Sequence, residues 1–122
     1  MKKSIIEEKS FKFAIRIVKL YQYLVSVKRE YVMSKQLLKS GTSIGANVSE
    51  SQRGQSSLDF YSKIAIALKE ANETHYWIRL LYATDYLNKQ EYLSLSADVN
   101  ELISILVAIS KTKDKKQTED TI

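Results

Sequence analysis

YLSLSADVNELISILVAI, residues 92–109, is the stretch on which the fold turns. Its apolar residues Tyr92, Leu95, Val99, Leu102, Leu106 and Ile109 alternate steps of three and four. An α-helix completes a turn every 3.6 residues, so all six fall on one face. An unbroken seam of this kind belongs to a helix packed lengthwise in a bundle or coiled coil. The spacing predicts a helix over about 90–110, with Asn88 as the breaker before it.

Working back along the chain, three more helices are predicted and no strand pattern competes with them. The third covers about 57–87, with Phe60, Ile64, Ala67, Ala71, Ile78 and Leu81 as its stripe, interrupted by Thr74. Ser56 or Ser57 offers its N-cap and Asp59 favours its dipole. Gly54 is expected to close the second helix as a C-cap glycine. That helix covers about 31–53, with Leu37, Gly41, Ile44 and Val48 in line. Gly41 and Gly45 each cost about 1 kcal/mol of helix propensity relative to alanine. The spacing Gly41-x-x-x-Gly45 is read as close helix–helix packing, since no phosphate-loop pattern surrounds it. The first helix covers about 4–27 and buries Phe13, Ile17, Leu20, Leu24 and Val27. Phe11, Ala14, Val18, Tyr21 and Val25 are expected to widen that face. Residues 111–122 are polar without periodicity and are expected to form a flexible tail. Short links between long helices force antiparallel neighbours. The predicted fold is all-α, an up-down-up-down four-helix bundle spanning residues 1–110.

Composition supports this and narrows the chemistry. In 122 residues there is no proline to break a helix and no cysteine. Disulfides, zinc-thiolate sites and thiol catalysis are therefore excluded. No run of apolar residues approaches the ~18 needed to cross a bilayer, and Glu7, Glu8 and Lys9 interrupt any signal peptide. A cytoplasmic protein without membrane contact is expected. His75 is the single histidine, so a di-iron bundle site, which takes two Glu-x-x-His pairs, cannot be assembled. No nucleophile has an evident base. The expectation is no enzyme, no catalytic residue, no metal and no cofactor.

Three groups of residues ask for a role. Asn47, Glu50, Glu70, Asn72, Glu73 and His75 stand near apolar stripes and are read as a hydrogen-bonded network fixing the register of the second and third helices. Tyr61, Tyr76, Trp77 and Tyr82 are too many to face one core, and are read as an interface between copies of the chain. Base stacking is the rival reading, set against the acidic balance of that helix. Residues 1–54 hold eleven Lys/Arg against four Asp/Glu, whereas residues 55–122 hold eight against ten. Lys9, Lys12, Arg16 and Lys19 share an arc of about 80° on the first helix, and Lys35, Lys39 and Arg53 lie on the second. Lys12, Arg16, Lys19, Lys35, Lys39 and Arg53 are the candidate phosphate contacts.

Two long segments carry a resemblance. Gln36-Leu37-Leu38-Lys39-Ser40-Gly41-Thr42-Ser43-Ile44-Gly45-Ala46-Asn47-Val48-Ser49-Glu50 resembles the signature of the bacterial four-helix-bundle proteins named for 23S rRNA intervening sequences. So does the segment from Asp59 through Glu70-Ala71-Asn72-Glu73-Thr74-His75-Tyr76-Trp77, and the match extends from about Ser10 to Leu106. The resemblance implies an up-down bundle, a homo-oligomeric ring (a pentamer), and a likeness to the basic accessory variability determinant protein of diversity-generating retroelements. It also implies binding of RNA or DNA and no catalytic residue. The alternative expectation is a protein-interaction scaffold that recruits a partner protein through its aromatic surface.

Overall fold

The computed structural model describes residues 4–121, with side chains described through residue 113. Four helices follow one another: α1 (Ile5–Ser26), α2 (Met33–Ser51), α3 (Ser57–Ala83) and α4 (Lys89–Thr121). No strand occurs among the described residues. Each helix packs against its sequence neighbours, and α1 also meets α4 along a thinner seam. All contacts run antiparallel. Glu50 meets Lys63 and Ser40 meets Thr74 across α2–α3, while Lys9 meets Glu101 and Arg16 meets Asp98 across α1–α4.

The helix ends are set by local chemistry. Ser4 caps α1 through the Glu7 N–H at 3.3 Å, and Ser56 caps α3 through the Asp59 N–H at 3.1 Å. Asn88 does more than break the chain. Its carboxamide oxygen accepts from the Glu91 N–H while Glu91 accepts from the Asn88 N–H, both at 2.8 Å. This reciprocal pair is a capping box that starts α4. α2 has no cap from its own Ncap residue, Val32. Instead Glu30, 7% exposed, receives the N–H groups of Val32, Met33 and Ser34 at 3.0, 2.9 and 2.7 Å. Burial alone would raise its pKa, but those three donors and the Ser34 hydroxyl outweigh it and hold the carboxyl below its ordinary value.

Several boundaries differ from the sequence-based expectation. α3 stops at Ala83 rather than near residue 87, because Asp85 takes a left-handed conformation at φ 69°. The Tyr86 N–H then bonds the Leu81 carbonyl and the Asp85 N–H the Tyr82 carbonyl, a Schellman closure. α1 stops at Ser26 and Arg29 takes a φ of 55°. α2 closes at Gln52, and Gly54 has no positive φ. Gly54 serves instead as a tight corner, where an added Cβ would lie 3.1 Å from that of Asp59 and 3.2 Å from the Phe60 nitrogen. α4 continues as helical backbone to Thr121, beyond the expected end at 110. Nothing after Ser110 breaks a helix: the segment has no glycine or proline and is rich in lysine.

The core follows the predicted stripes closely. Phe13, Ile17, Leu24, Leu37, Ile44, Val48, Ile64, Ala67, Ala71, Ile78, Leu81, Leu95, Val99, Leu102 and Leu106 are all buried. Val27 is exposed, and so are Phe11 and Val18, which do not widen the buried face as expected. Thr74 does not interrupt the α3 stripe. It is fully buried, and its hydroxyl donates to the Glu70 carbonyl of its own helix at 2.7 Å and shares a hydrogen bond with the Ser40 hydroxyl at 2.9 Å. Thr74→Val should keep the shape but leave Ser40 short of a partner, at a cost of about 1–2 kcal/mol. Urea unfolding of the variant and the parent checks this value.

Within Lys89–Lys113 of α4 an 18-residue window reaches a mean hydropathy of 1.5, so by length and composition alone this helix could cross a membrane although no unbroken apolar run is that long. In the structure its seam residues are the core of the bundle, and Asp98 and Glu101 pair with α1.

Candidate nucleic-acid interface

The candidate cations lie on α1 and α2, and the structure divides them. Lys9 and Arg16 turn toward α4, where Lys9 meets Glu101 at 2.9 Å and Arg16 meets Asp98 at 2.6 Å. With Lys12, Phe13 and Leu102 these residues line a groove of about 310 Å³ along the thin α1–α4 seam. Arg16 is thus neutralised locally. Lys12 and Lys19 lie three or four residues from Arg16 on the same outer edge of α1, and neither makes an ion pair among the described residues.

Lys35 and Lys39 are exposed on α2 and Arg53 is exposed in the turn that follows it, and none of the three forms an ion pair among the described residues. The α1-facing side of α2 is given by its glycines. A Cβ at Gly41 would lie 2.8 Å from Ile17, and one at Gly45 would lie 3.2 Å from the Ser10 carbonyl oxygen. The predicted close packing of α1 on α2 is therefore real. Between the basic edge of α1 and that of α2 runs an apolar strip on the outside of α1. Phe11, Ile15 and Val18, at i, i+4 and i+7, are 65%, 42% and 38% exposed. The six candidate cations form two basic edges flanking this strip rather than one stripe.

The predicted polar network does not assemble as one unit. Glu50 bridges α2 to α3 through Lys63 at 2.7 Å. Asn47 and Asn72 instead bond carbonyls of their own helices, at Ser43 and Leu68. Glu73 accepts from the Trp77 indole N–H at 3.5 Å. Burial raises the pKa of Glu70, and the neighbouring Glu73 raises it further against the pull of Lys69 and Lys39. His75 is seven residues before Tyr82, whose ring stacks on Tyr92 of α4, so it sits on the α4 side of α3. The link between α2 and α3 that sequence reading missed is Ser40–Thr74, two small hydroxyls on the buried stripes themselves.

The aromatic candidates also separate. Tyr61 is tied to Thr112 of α4 by a 2.6 Å hydrogen bond. Trp77 and Tyr82 pack partly against the core. Tyr76 alone of the four stands out from the surface, 52% exposed, with its ring set edge-on to Trp77 at 5.1 Å. Tyr76, Arg79, Leu80, Tyr82, Ala83 and Tyr92 line a second groove, of about 300 Å³, between α3 and α4. The α1 strip of Phe11, Ile15 and Val18 is an exposed apolar surface that composition counts of aromatics could not single out. No cluster of His, Asp and Glu able to hold a metal occurs among the described residues.

A family model described as 23S rRNA-intervening sequence protein matches residues 2–108. The chain is also similar to a solved protein of unknown function from the S23 ribosomal protein family of Bacteroides thetaiotaomicron. The two share 50% identity with a TM-score of 0.87, over 88% of this chain and 99% of that one. No functionally curated protein matches the sequence.

Proposed function

The chain belongs to the 23S rRNA-intervening sequence protein family, and from that premise we propose that it is a non-enzymatic, self-associating bundle of the cytoplasm that binds RNA through its phosphates. The observation that carries the reading is the state of the cations. Lys12 and Lys19 on α1, Lys35 and Lys39 on α2, and Arg53 just after α2 are exposed and without ion pairs among the described residues, while the carboxylates of the α1–α4 seam are already taken by Lys9 and Arg16. Unpaired surface cations of this kind release counterions from a polyanion and read no sequence. The exposed Phe11, Ile15 and Val18 strip supports association between copies, and a ring such as a pentamer would repeat the two basic edges around one assembly.

The test is RNA retardation in a gel as salt rises from about 50 to about 200 mM, with native mass spectrometry of the same preparation. Affinity should fall on the order of tenfold or more over that range. The combined variant Lys35→Glu, Lys39→Glu, Arg53→Glu should lose binding and flatten the salt dependence, by about 0.7 in log–log slope for each single-strand contact removed. No retardation at the lower salt would sink the proposal, and a strictly monomeric mass would remove its assembly half.

A further inference from the structure

We propose that the groove between α3 and α4 holds an unpaired base of the RNA strand, stacked against tyrosine with Arg79 on the adjoining phosphate. This inference rests on the nucleic-acid reading above and adds to it a second, chemically different contact on another wall of the bundle. Its lining is Tyr76, Arg79, Leu80, Tyr82, Ala83 and Tyr92: three phenol rings, two aliphatic side chains, one guanidinium and no carboxylate.

The rings are already held in place. Tyr82 and Tyr92 stack with centroids 4.3 Å apart and planes 9° from parallel, which fixes one wall across two helices. Tyr76 forms the other wall, braced edge-on at 5.1 Å by Trp77, whose indole N–H reaches Glu73. Ring platforms that need no ordering on binding waste no rotamer entropy. The groove volume, about 300 Å³, lies at the small end of ligand sites, which suits a single planar group.

The guanidinium decides between occupants. Arg79 lies one turn beyond Tyr76 on the same face of α3 and makes no ion pair among the described residues, unlike Lys9, Arg16 and Lys63. An unpaired cation among aromatic faces complements a base and its phosphate together. A purely apolar peptide segment would leave that charge without a partner. The carboxylate of Glu91, on the turn of α4 that carries Tyr92, is occupied by the Asn88 N–H in the capping box.

The test compares two oligomers of equal length and charge, single-stranded oligoadenylate and its abasic sugar–phosphate counterpart, by fluorescence anisotropy on the full chain. The parent protein should bind the base-bearing strand at least fivefold more tightly, the lower bound for one stacked base. Tyr76→Ala and Arg79→Gln, both at exposed positions, should each reduce that preference, and Tyr76→Ala should leave abasic binding unchanged. Photocrosslinking of an 8-azidoadenine-substituted strand should label the segment 76–92. Equal affinity of the parent for both strands would leave the groove to a protein segment and overturn the inference while the phosphate reading stands. A preference that survives Tyr76→Ala with labelling elsewhere would also overturn it. Binding of neither strand at low salt would remove both readings together.

Discussion

Gly41→Leu should abolish cooperative folding, and even Gly41→Ala should destabilise the bundle by up to about 2 kcal/mol although alanine is the better helix former. The reason is the seat of α2 on α1. A Cβ at residue 41 would lie 2.8 Å from both γ-carbons of Ile17, a side chain with no exposed surface. Those carbons sit next to a branched Cβ and cannot swing aside, so either α1 moves or Ile17 leaves its rotamer. Overpacking of this kind costs about 1–3 kcal/mol and exceeds the gain of about 1 kcal/mol in propensity. The contact can be isolated with a double-mutant cycle. Ile17→Ala alone should cost about 2–5 kcal/mol by leaving a cavity. In the Gly41→Ala background it should cost at least about 1 kcal/mol less, because the new methyl fills part of that space. Urea unfolding followed by Trp77 fluorescence reads all four chains. A more stable Gly41→Ala protein would show that the helices do not approach this closely.

Glu30→Ala is expected to cost about 2 kcal/mol, a large effect for a residue outside any helix. Among the described residues its carboxylate is the one side-chain acceptor for the first N–H groups of α2, at 2.7, 2.9 and 3.0 Å from the nitrogens of Ser34, Met33 and Val32. Removal strands three donors beside a buried segment. The cost depends on pH in a defined direction. The pKa of the folded state lies below the ordinary 4.5, so the carboxylate stabilises the fold fully above that value. The contribution is lost as pH falls through the lower, folded pKa. The difference between parent and Glu30→Gln should therefore be constant near neutrality and shrink in acid. Glu70 titrates in the opposite sense, because burial and Glu73 raise its pKa. The measurement must accordingly compare variant with parent at each pH, rather than read the parent's acid limb alone. A difference that persists unchanged well below the folded pKa would show that the cap does not act through charge.

The two sites of these effects were unequally legible. Gly41-x-x-x-Gly45 announces a close approach, since small residues on a buried stripe have few other uses. Glu30 sits in a charged run, Lys28-Arg29-Glu30, that reads as a solvated break. Its burial depends on the left-handed turn at Arg29, which brings the Glu30 N–H to the Leu24 carbonyl at 3.0 Å. No local pattern encodes that turn, because arginine has no preference for positive φ.

The same division holds for the candidate surfaces. Lys9, Lys12, Arg16 and Lys19 share one helical arc, and any wheel shows it. That Arg16 and Lys9 are spent on Asp98 and Glu101 follows only once α4 returns beside α1, 82 and 92 residues later. Tyr76 and Arg79 likewise become part of a groove only when Tyr92 arrives from α4.

The seam at residues 92–109 and the stripes before it, with no proline to interrupt them, were enough by themselves to determine four helices and nearly all the core, because helix periodicity is a property of near neighbours. The tertiary structure decided which charges remain unpaired, which rings stand exposed and where two basic edges part around an apolar strip. Those depend on partners distant in the chain, and periodicity holds no record of who the partner is.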